Sequence, residues 1–280
     1  MTEHFKDKVV IVTGGASGIG RALCEELAGR GAMVVIADIN MEGAQQVASG
    51  ITSTGGQGRA VHLDVSKAEN TEKLIDETVS GHGRLDYMFN NAGIGIAGEV
   101  RDMNLEHWRS ILNVNLWGVI CGTTSAYQVM IKQGFGHIVN IASLAGLVPI
   151  PMVTAYATTK YGVVGLSTSL RAEAAGLGVK VSVVCPGLLQ TGICHAATVL
   201  NVRREDVLAR APFKMGNTTW AARAILRGVS RNKAVITMPF YVRLFWWLYR
   251  FHPALLSPWS HKMVQDFRAL RRPSASDRAR

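Results

Sequence analysis

Cysteine is scarce in this sequence, and its spacing excludes the sites that cysteine usually builds. The chain contains four cysteines, Cys24, Cys121, Cys185 and Cys194, and they form neither a CxxC pair nor a metal-ligand pattern. The opening residues MTEHFKDK carry charges where a secretory signal would need an apolar run. We therefore expect buried, reduced thiols, no bound metal and a cytoplasmic protein.

Long apolar runs are absent from the sequence, and acidic residues are few in its C-terminal part. No stretch reaches the roughly 20 uninterrupted apolar residues of a transmembrane helix. Residues 1–200 carry 14 Lys and Arg against 16 Asp and Glu, whereas residues 201–280 carry 16 against 4, a net charge of +12. The basic character therefore belongs to the last part of the chain. We predict no nucleic-acid partner, because no nucleic-acid-binding motif accompanies this charge.

Apolar runs alternate with amphipathic stretches along the first two hundred residues. Runs such as KVVIVTG, AMVVIAD, LDYMFNNAG, GHIVNIAS and VKVSVVCPG are typical of strands buried on both faces. Helices between them favour right-handed crossovers in a parallel sheet. We predict an α/β fold with a doubly wound, Rossmann-type parallel sheet. A single catalytic domain would span residues 1–238, followed by a basic, aromatic C-terminal extension over residues 239–280.

A glycine-rich turn follows the first predicted strand and opens the first helix. In VTGGASGIGRA, Gly14, Gly18 and Gly20 give the spacing TGxxxGxG. Glycines there let the backbone approach a pyrophosphate, which lies at the positive end of the helix. The strand before and the helix after the turn are the context that such a motif needs. The pattern predicts a dinucleotide site.

Asp38 is predicted to end the second strand, where it indicates which dinucleotide binds. A carboxylate at this position accepts hydrogen bonds from ribose hydroxyls and repels a 2′-phosphate. Its neighbours Ala37, Ile39 and Asn40 include no cation. NAD is therefore favoured over NADP. The alternative is that Asp38 serves only as a turn or helix cap in ADIN.

Tyr156 and Lys160 are four residues apart in TAYATTKYG, on one flank of a predicted helix. A nearby ammonium favours the phenolate and lowers a tyrosine pKa that is otherwise near 10. The pair would then transfer protons; the alternative is a surface tyrosine beside a solvated lysine. Ser143 ends the strand HIVNIAS, at the edge where such sheets bind ligands. Asn115 lies in a predicted helix, where asparagine is unfavourable, and indicates a buried hydrogen bond.

In their order along the chain, these features resemble the classical short-chain dehydrogenases/reductases. The resemblance covers about Lys8 to Thr191 and rests on TGGASGIG, Asp38, LDV at Asp64, NNAG at 90–93, NVNLWG, Ser143, YATTK and PG at 186–187. It implies that Tyr156 is the general acid/base and that Lys160 lowers its pKa and binds the nicotinamide ribose. It further implies that Ser143 binds the substrate oxygen and that Asn115 holds a proton-relaying water.

The resemblance also implies the contacts of the cofactor. Asp64 and Val65 would flank the adenine, and Pro186 to Thr191 would hold the nicotinamide end. The complete predicted set is Gly14, Ser17, Gly18, Ile19, Gly20, Asp38, Asp64, Val65, Asn91, Ala92, Gly93, Tyr156, Lys160, Pro186, Gly187 and Thr191. Family members are usually oligomers, so we expect a homodimer or homotetramer by analogy.

The substrate side is predicted to follow the sixth strand. Residues of about 188–220 correspond to a variable substrate lid in the family, where Cys194 and His195 are candidates for substrate contact. Beyond it, nearly every residue between Pro239 and Pro253 is apolar or aromatic, within the segment of residues 239–260. This segment suits either peripheral membrane contact or a helix packed over the substrate pocket or a second subunit. Both interpretations favour a hydrophobic substrate.

The main hypothesis is an NAD-dependent oxidoreductase that interconverts a secondary alcohol and a ketone on a steroid, lipid or terpenoid-like molecule. One alternative is an NADP-dependent ketone or acyl-thioester reductase, against which Asp38 argues. Another is a non-catalytic nucleotide-binding regulatory protein, against which the intact set of Asn115, Ser143, Tyr156 and Lys160 argues.

Overall fold

A parallel sheet of seven strands forms the centre of the computed structural model, which describes residues 4–189, 196–209 and 216–271. The strands are β1 (Val9–Thr13), β2 (Met33–Asp38), β3 (Gln57–His62), β4 (Tyr87–Asn90), β5 (Ile96–Ala97), β6 (Gly136–Ile141), β7 (Val179–Pro186), β8 (Thr198–Val199) and β9 (Val235–Met238). The order in the sheet is β3-β2-β1-β4-β6-β7-β9, and every neighbouring pair is parallel. The short strands β5 and β8 pair separately.

Helices cover both faces of this sheet. They are α1 (Gly18–Ala28), α2 (Met41–Ser53), α3 (Ala68–His82), α4 (Leu105–Leu112), α5 (Gly118–Gln133), α6 (Thr154–Glu173), α7 (Arg204–Ala209), α8 (Thr218–Ser230), α9 (Phe240–Phe251) and α10 (Ser257–Leu270). Side chains alternate along a strand, so Val10 and Val12 pack with α1 and α8 on one face. Ile11 packs with α3 and α5 on the other. The prediction of a doubly wound parallel sheet is confirmed.

A buried polar network ties the middle of the sheet to two helices. Asn140 Oδ1 of β6 accepts hydrogen bonds from Asn90 Nδ2 of β4 at 2.8 Å and from Thr123 Oγ1 of α5 at 3.2 Å. Asn140 Nδ2 donates to Ser167 Oγ of α6 at 3.0 Å. All four side chains are buried. Because Asn140 bonds to the other three, its removal takes a hydrogen bond from each of three buried polar side chains.

Replacing Asn140 by leucine is therefore expected to lower the free energy of unfolding by about 2–4 kcal/mol. Urea denaturation measures the change. Asn70→Leu, at an exposed position of α3, is the matched control. We expect its free energy of unfolding to stay within about 0.5 kcal/mol of that of the parent chain. Equal losses in the two variants would show that the network does not stabilise the sheet.

The C-terminal extension folds back onto the domain as α9 and α10, joined by the 3-10 turn Pro253–Leu256. Val242 and Leu256 are buried in one apolar cluster with Val163 of α6 and Val183 of β7. Within the described parts of the chain, no helix has both the length and the apolarity needed to cross a membrane. The division at residues 238 and 239 stays a prediction.

Ion pairs hold the end of α10 against the segment after β5. Arg268 Nη2 lies 2.7 Å from Glu99 Oε1, and Arg271 bridges Glu99 Oε2 at 3.2 Å and Asp102 Oδ1 at 2.9 Å. We call these four residues the C-terminal clamp. Burial raises the pKa of Glu99, but hydrogen bonds from Arg268 and Arg101 outweigh it and lower the pKa overall. The clamp carboxylate is therefore ionised at neutral pH.

Candidate active site

The order of the strands along the sheet reverses between β1 and β4. Hydrogen bonds join the carboxyl ends of these two strands. Thr13 Oγ1 accepts from the backbone N–H of Asn91 at 3.0 Å and of Ala92 at 3.1 Å. Asn91 Nδ2 in turn donates to the carbonyls of Thr13 and Gly14 at 2.9 and 3.1 Å. Open α/β sheets bind ligands in the crevice at such a point. Thr13 and Asn91 fix the edge of that crevice.

The glycine turn depends on backbone room that a side chain would fill. Gly14 has φ +66°, a left-handed conformation that favours glycine, and a Cβ there would lie 2.8 Å from Ala92 Cα. A Cβ on Gly20 would collide with the Gly14 carbonyl oxygen. This close packing places the N-terminus of α1, with its first backbone N–H groups, at the crevice. Ser17 lies beside it, and its hydroxyl makes no capping hydrogen bond to the helix. These residues fit a cofactor pyrophosphate.

Asp38 makes the turn-capping hydrogen bonds that its sequence position allowed, and it also faces the crevice. Its Oδ2 accepts from Ala16 N at 2.9 Å, and its Oδ1 accepts from Asn40 N at 2.9 Å. It therefore caps the turn after β2 and also holds the glycine turn. The carboxylate lines the crevice as well, and each oxygen keeps lone-pair capacity for a further donor. A cofactor ribose fits this position.

The predicted proton-transfer pair lies at the start of α6. Lys160 is 3% exposed, its Nζ donates to the Ile141 carbonyl at 2.9 Å, and it lies 5.4 Å from the centre of the Tyr156 ring. Ser143 follows β6 and accepts a hydrogen bond from Ala145 N at 3.2 Å, which starts a 3-10 turn. Tyr156, Ser143 and Lys160 all face the same crevice.

Burial sets the charge behaviour of this site. It lowers the pKa of Lys160 from 10.5 to about 8, and the neighbouring Cys185 only partly opposes the change. Burial also raises the pKa of the Cys185 thiol to about 12, although Lys160 acts in the other direction. At neutral pH the site therefore holds a lysine cation next to a neutral thiol. That cation favours the phenolate form of Tyr156.

Asn115 lies in a π-helical turn, Asn113–Trp117, between α4 and α5, whereas the sequence suggested an ordinary helix. Its fully buried amide accepts from Ile94 N at 2.8 Å and donates to Ile94 O at 2.9 Å. A Cβ on Gly93 would lie 3.2 Å from Asn115 Oδ1 and 3.8 Å from Lys160 Nζ. The predicted buried hydrogen bonds are present. The water-holding role stays a prediction.

These elements enclose a cleft of about 580 Å³. The predicted residues that line it are Gly14, Ser17, Gly18, Ile19, Asp38, Asp64, Val65, Asn91, Ala92, Gly93, Ser143, Tyr156, Lys160, Pro186 and Gly187. Gly20 and Asn115 do not line it; they support the Gly14 and Gly93 backbone from behind. Thr191, Cys194 and His195 lie outside the described residues. One continuous cleft thus joins the nucleotide half to the proton-transfer pair.

The cleft has a second wall, formed by segments that follow the glycine turn and the Tyr156–Lys160 pair in the chain. The sequence predicted that segment 188–220, and in one interpretation segment 239–260, lies near the pocket, but it did not single out the residues of this wall. Arg204 of α7, Tyr241 of α9, and Trp259 and Met263 of α10 contribute to it. Tyr241 Oη accepts a hydrogen bond from Leu188 N at 2.8 Å, so the extension contacts the chain just after β7. Of the two interpretations for residues 239–260, packing over the pocket is therefore observed. A membrane contact is a separate matter, because α9 has a second face.

Comparison with known proteins agrees with this architecture. A family model described as short chain dehydrogenase matches residues 8–199. A cyclohexanol dehydrogenase from an Acinetobacter species is 36% identical over 244 residues, which is 86% of this chain and 95% of that relative. A D-threitol dehydrogenase from Mycolicibacterium smegmatis is 36% identical over 190 residues, 68% of this chain and 73% of the relative.

A solved structure extends the likeness to nearly the whole fold. The crystal structure of a short chain dehydrogenase/reductase from Burkholderia phymatum in complex with NAD has a TM-score of 0.78 and 28% identity, and the match covers 97% of this chain and 98% of that one. Coverage of this extent includes the C-terminal helices. On the family model, the relatives and the shared architecture, this chain belongs to the short-chain dehydrogenase family of oxidoreductases.

Proposed function

We propose that the protein is an NAD-dependent dehydrogenase that interconverts a secondary alcohol and a ketone on a hydrophobic molecule. The observation that carries this proposal is one cleft in which Tyr156, Lys160 and Ser143 meet the nucleotide-binding edge at Gly14 and Asp38. The cleft surface is mainly apolar, and Trp259 and Met263 of α10 contribute to it. A steroid, lipid or terpenoid-like substrate suits such walls.

In the oxidation, the chain handles the proton of the substrate hydroxyl. NAD, when bound, would take a hydride from the carbinol carbon. Tyr156, as phenolate, accepts the hydroxyl proton as the C–O bond becomes a carbonyl, and it returns that proton in the reverse reaction. Lys160 stabilises the phenolate, and its anchor on the Ile141 carbonyl fixes the ammonium. Ser143 donates a hydrogen bond to the substrate oxygen and holds it near Tyr156.

The predicted partners and location belong to the same proposal. A homodimer or homotetramer in the cytoplasm is our working assembly, by family analogy. The relatives differ in the polarity their names imply, since one is a cyclohexanol dehydrogenase and the other a D-threitol dehydrogenase. The apolar wall from α10 favours the less polar kind of alcohol for this chain. Initial-rate assays over cyclic alcohols, steroid alcohols and polyols test that choice.

Asp38 is expected to decide the nucleotide. The parent chain should use NAD at least about tenfold more efficiently than NADP, because the carboxylate pairs with a ribose diol and repels a 2′-phosphate. Asp38→Ser should lower kcat/KM for NAD by about tenfold and raise the relative use of NADP. Asp76→Ala removes an acidic charge from an exposed position of α3 and is the control for the loss of charge.

Two results would contradict parts of this proposal. A parent chain that prefers NADP would support the ketone or acyl-thioester reductase that Asp38 argues against. Tight NAD binding without turnover on any class of alcohol, ketone or thioester would support the non-catalytic nucleotide-binding regulator. Thermal melting of Asp38→Ser is needed alongside the kinetics, since Asp38 also holds Ala16 of the glycine turn.

A further inference from the structure

One face of α9 is apolar and has no partner within the described residues. Phe240, Leu244, Trp247 and Phe251 recur at spacings of four, three and four, and Leu255 in the 3-10 turn after the helix is exposed as well. Residues with these spacings lie on one side of a helix. Phe240 is 79% exposed, Trp247 61% and Phe251 74%. We call these five residues the apolar stripe.

The opposite face of α9 accounts for its attachment to the domain. Val242 is fully buried, and Tyr241, Phe245 and Tyr249 pack in the same cluster with α6 and β7. The stripe is therefore unnecessary for docking the helix. Its side chains are still ordered among themselves, since Trp247 and Phe251 stack with ring centres 5.7 Å apart at 12°. Soluble proteins rarely expose contiguous apolar rows of this kind without a partner.

The charges beside the stripe have one sign. Arg243 and Arg250 are exposed and both lie along one edge of the stripe, seven residues apart. The sequence contains no Asp or Glu between Asp206 and Asp266. In an antiparallel two-fold contact the arginines of both copies would lie along the same edge, and in any two-fold contact α9 supplies no carboxylate to pair with them. An anionic surface complements this edge, whereas a second copy does not.

We propose that the apolar stripe seats the protein on an anionic phospholipid surface, with α9 lying in the plane of the interface. The helix is about 18 Å long, against about 30 Å for a bilayer core, so it lies on a membrane and does not span it. Phe, Trp and Leu enter the headgroup boundary, while Arg243 and Arg250 contact lipid phosphates. Tyr241 of α9 also lines the cleft, so lipid contact brings the cleft wall to the membrane surface.

Sedimentation of the full chain with vesicles tests this proposal without reference to turnover. We expect binding to vesicles of equal parts phosphatidylcholine and phosphatidylglycerol, with weaker binding to phosphatidylcholine alone and a loss of binding at high salt. Trp247→Glu combined with Phe251→Glu should lower the partition coefficient at least about tenfold. Arg243→Gln and Arg250→Gln should each lower it about fivefold on the anionic vesicles.

Trp220→Glu is the matched control, because it places the same charge at an exposed tryptophan on α8 and should bind like the parent chain. Trp247→Phe keeps the stripe apolar and should still bind, but with less tryptophan quenching by lipids brominated in their acyl chains. Parent chain that stays in solution, or equal binding by the double glutamate variant, would overturn the proposal. So would a dimer in sedimentation velocity that the double variant dissociates while the parent chain ignores vesicles.

Discussion

Replacing Tyr156 by phenylalanine is expected to lower kcat by about three orders of magnitude while NAD binding changes less than about twofold. The substitution removes only the hydroxyl that exchanges the substrate proton in the proposed mechanism. It leaves the ring, α6 and the position of Lys160 in place, so the cleft keeps its shape. Single-turnover rates of NADH formation measure the chemical step, and quenching of protein fluorescence measures cofactor affinity.

Tyr161→Phe provides the control for this result. Tyr161 lies on the same helix and is 40% exposed. It does not line the cleft. Its substitution removes a hydroxyl of identical chemistry and should leave kcat within about twofold. Turnover in Tyr156→Phe at the rate of Tyr161→Phe would show that another group exchanges the proton.

Replacing Lys160 by methionine should have opposite effects on activity and stability. Activity is expected to fall at least about a hundredfold, because the phenolate of Tyr156 loses its cation. The free energy of unfolding is expected to rise by about 1–2 kcal/mol at pH 7, because an apolar side chain of similar length replaces a buried ammonium. Urea denaturation of both chains at pH 7, without cofactor, measures the gain.

The pH dependence identifies burial as the cause. The pKa of Lys160 falls from 10.5 in the unfolded chain to about 8 in the folded protein. Between these values the unfolded chain binds the proton that the folded chain has lost, so the stability contribution of Lys160 rises with pH. The advantage of Lys160→Met should therefore shrink between about pH 8 and about pH 10. A difference in unfolding free energy between the two chains that stays constant with pH would contradict this assignment. Lys132→Met, at an exposed position of α5, provides the reference.

The parts of the fold that follow from local sequence could be predicted. Continuous Val and Ile runs specify strands covered on both faces, and the glycine turn with Asp38 specifies the edge between them. Tyr156 and Lys160 are also local, since helical spacing alone puts them together. For this reason the doubly wound sheet and the position of Tyr156 and Lys160 in the cleft could both be predicted from the sequence.

The individual residues of the opposite cleft wall could not be singled out from the sequence, because their positions depend on contacts between distant segments. Trp259 and Met263 line the cleft because the C-terminal helices fold back onto the domain, where the clamp joins Arg268 and Arg271 to a segment nearly 170 residues earlier. No periodicity in α10 shows where it docks. The π-helical turn at Asn115 is hidden for a different reason, since its apolar spacing resembles that of an ordinary helix.

The C-terminal clamp joins two segments that the ribosome makes at different times. A nascent chain that has emerged as far as β9 already contains the whole sheet, the glycine turn and the Tyr156–Lys160 pair. It still lacks Trp259 and Met263, and Glu99 and Asp102 have no arginine from α10 to bind. The segment of α10 must therefore leave the ribosome before the cleft wall that contains Trp259 and Met263 can form. The residues at the nucleotide-binding edge of the cleft are translated before α10, whereas the cleft wall that α10 supplies is translated last.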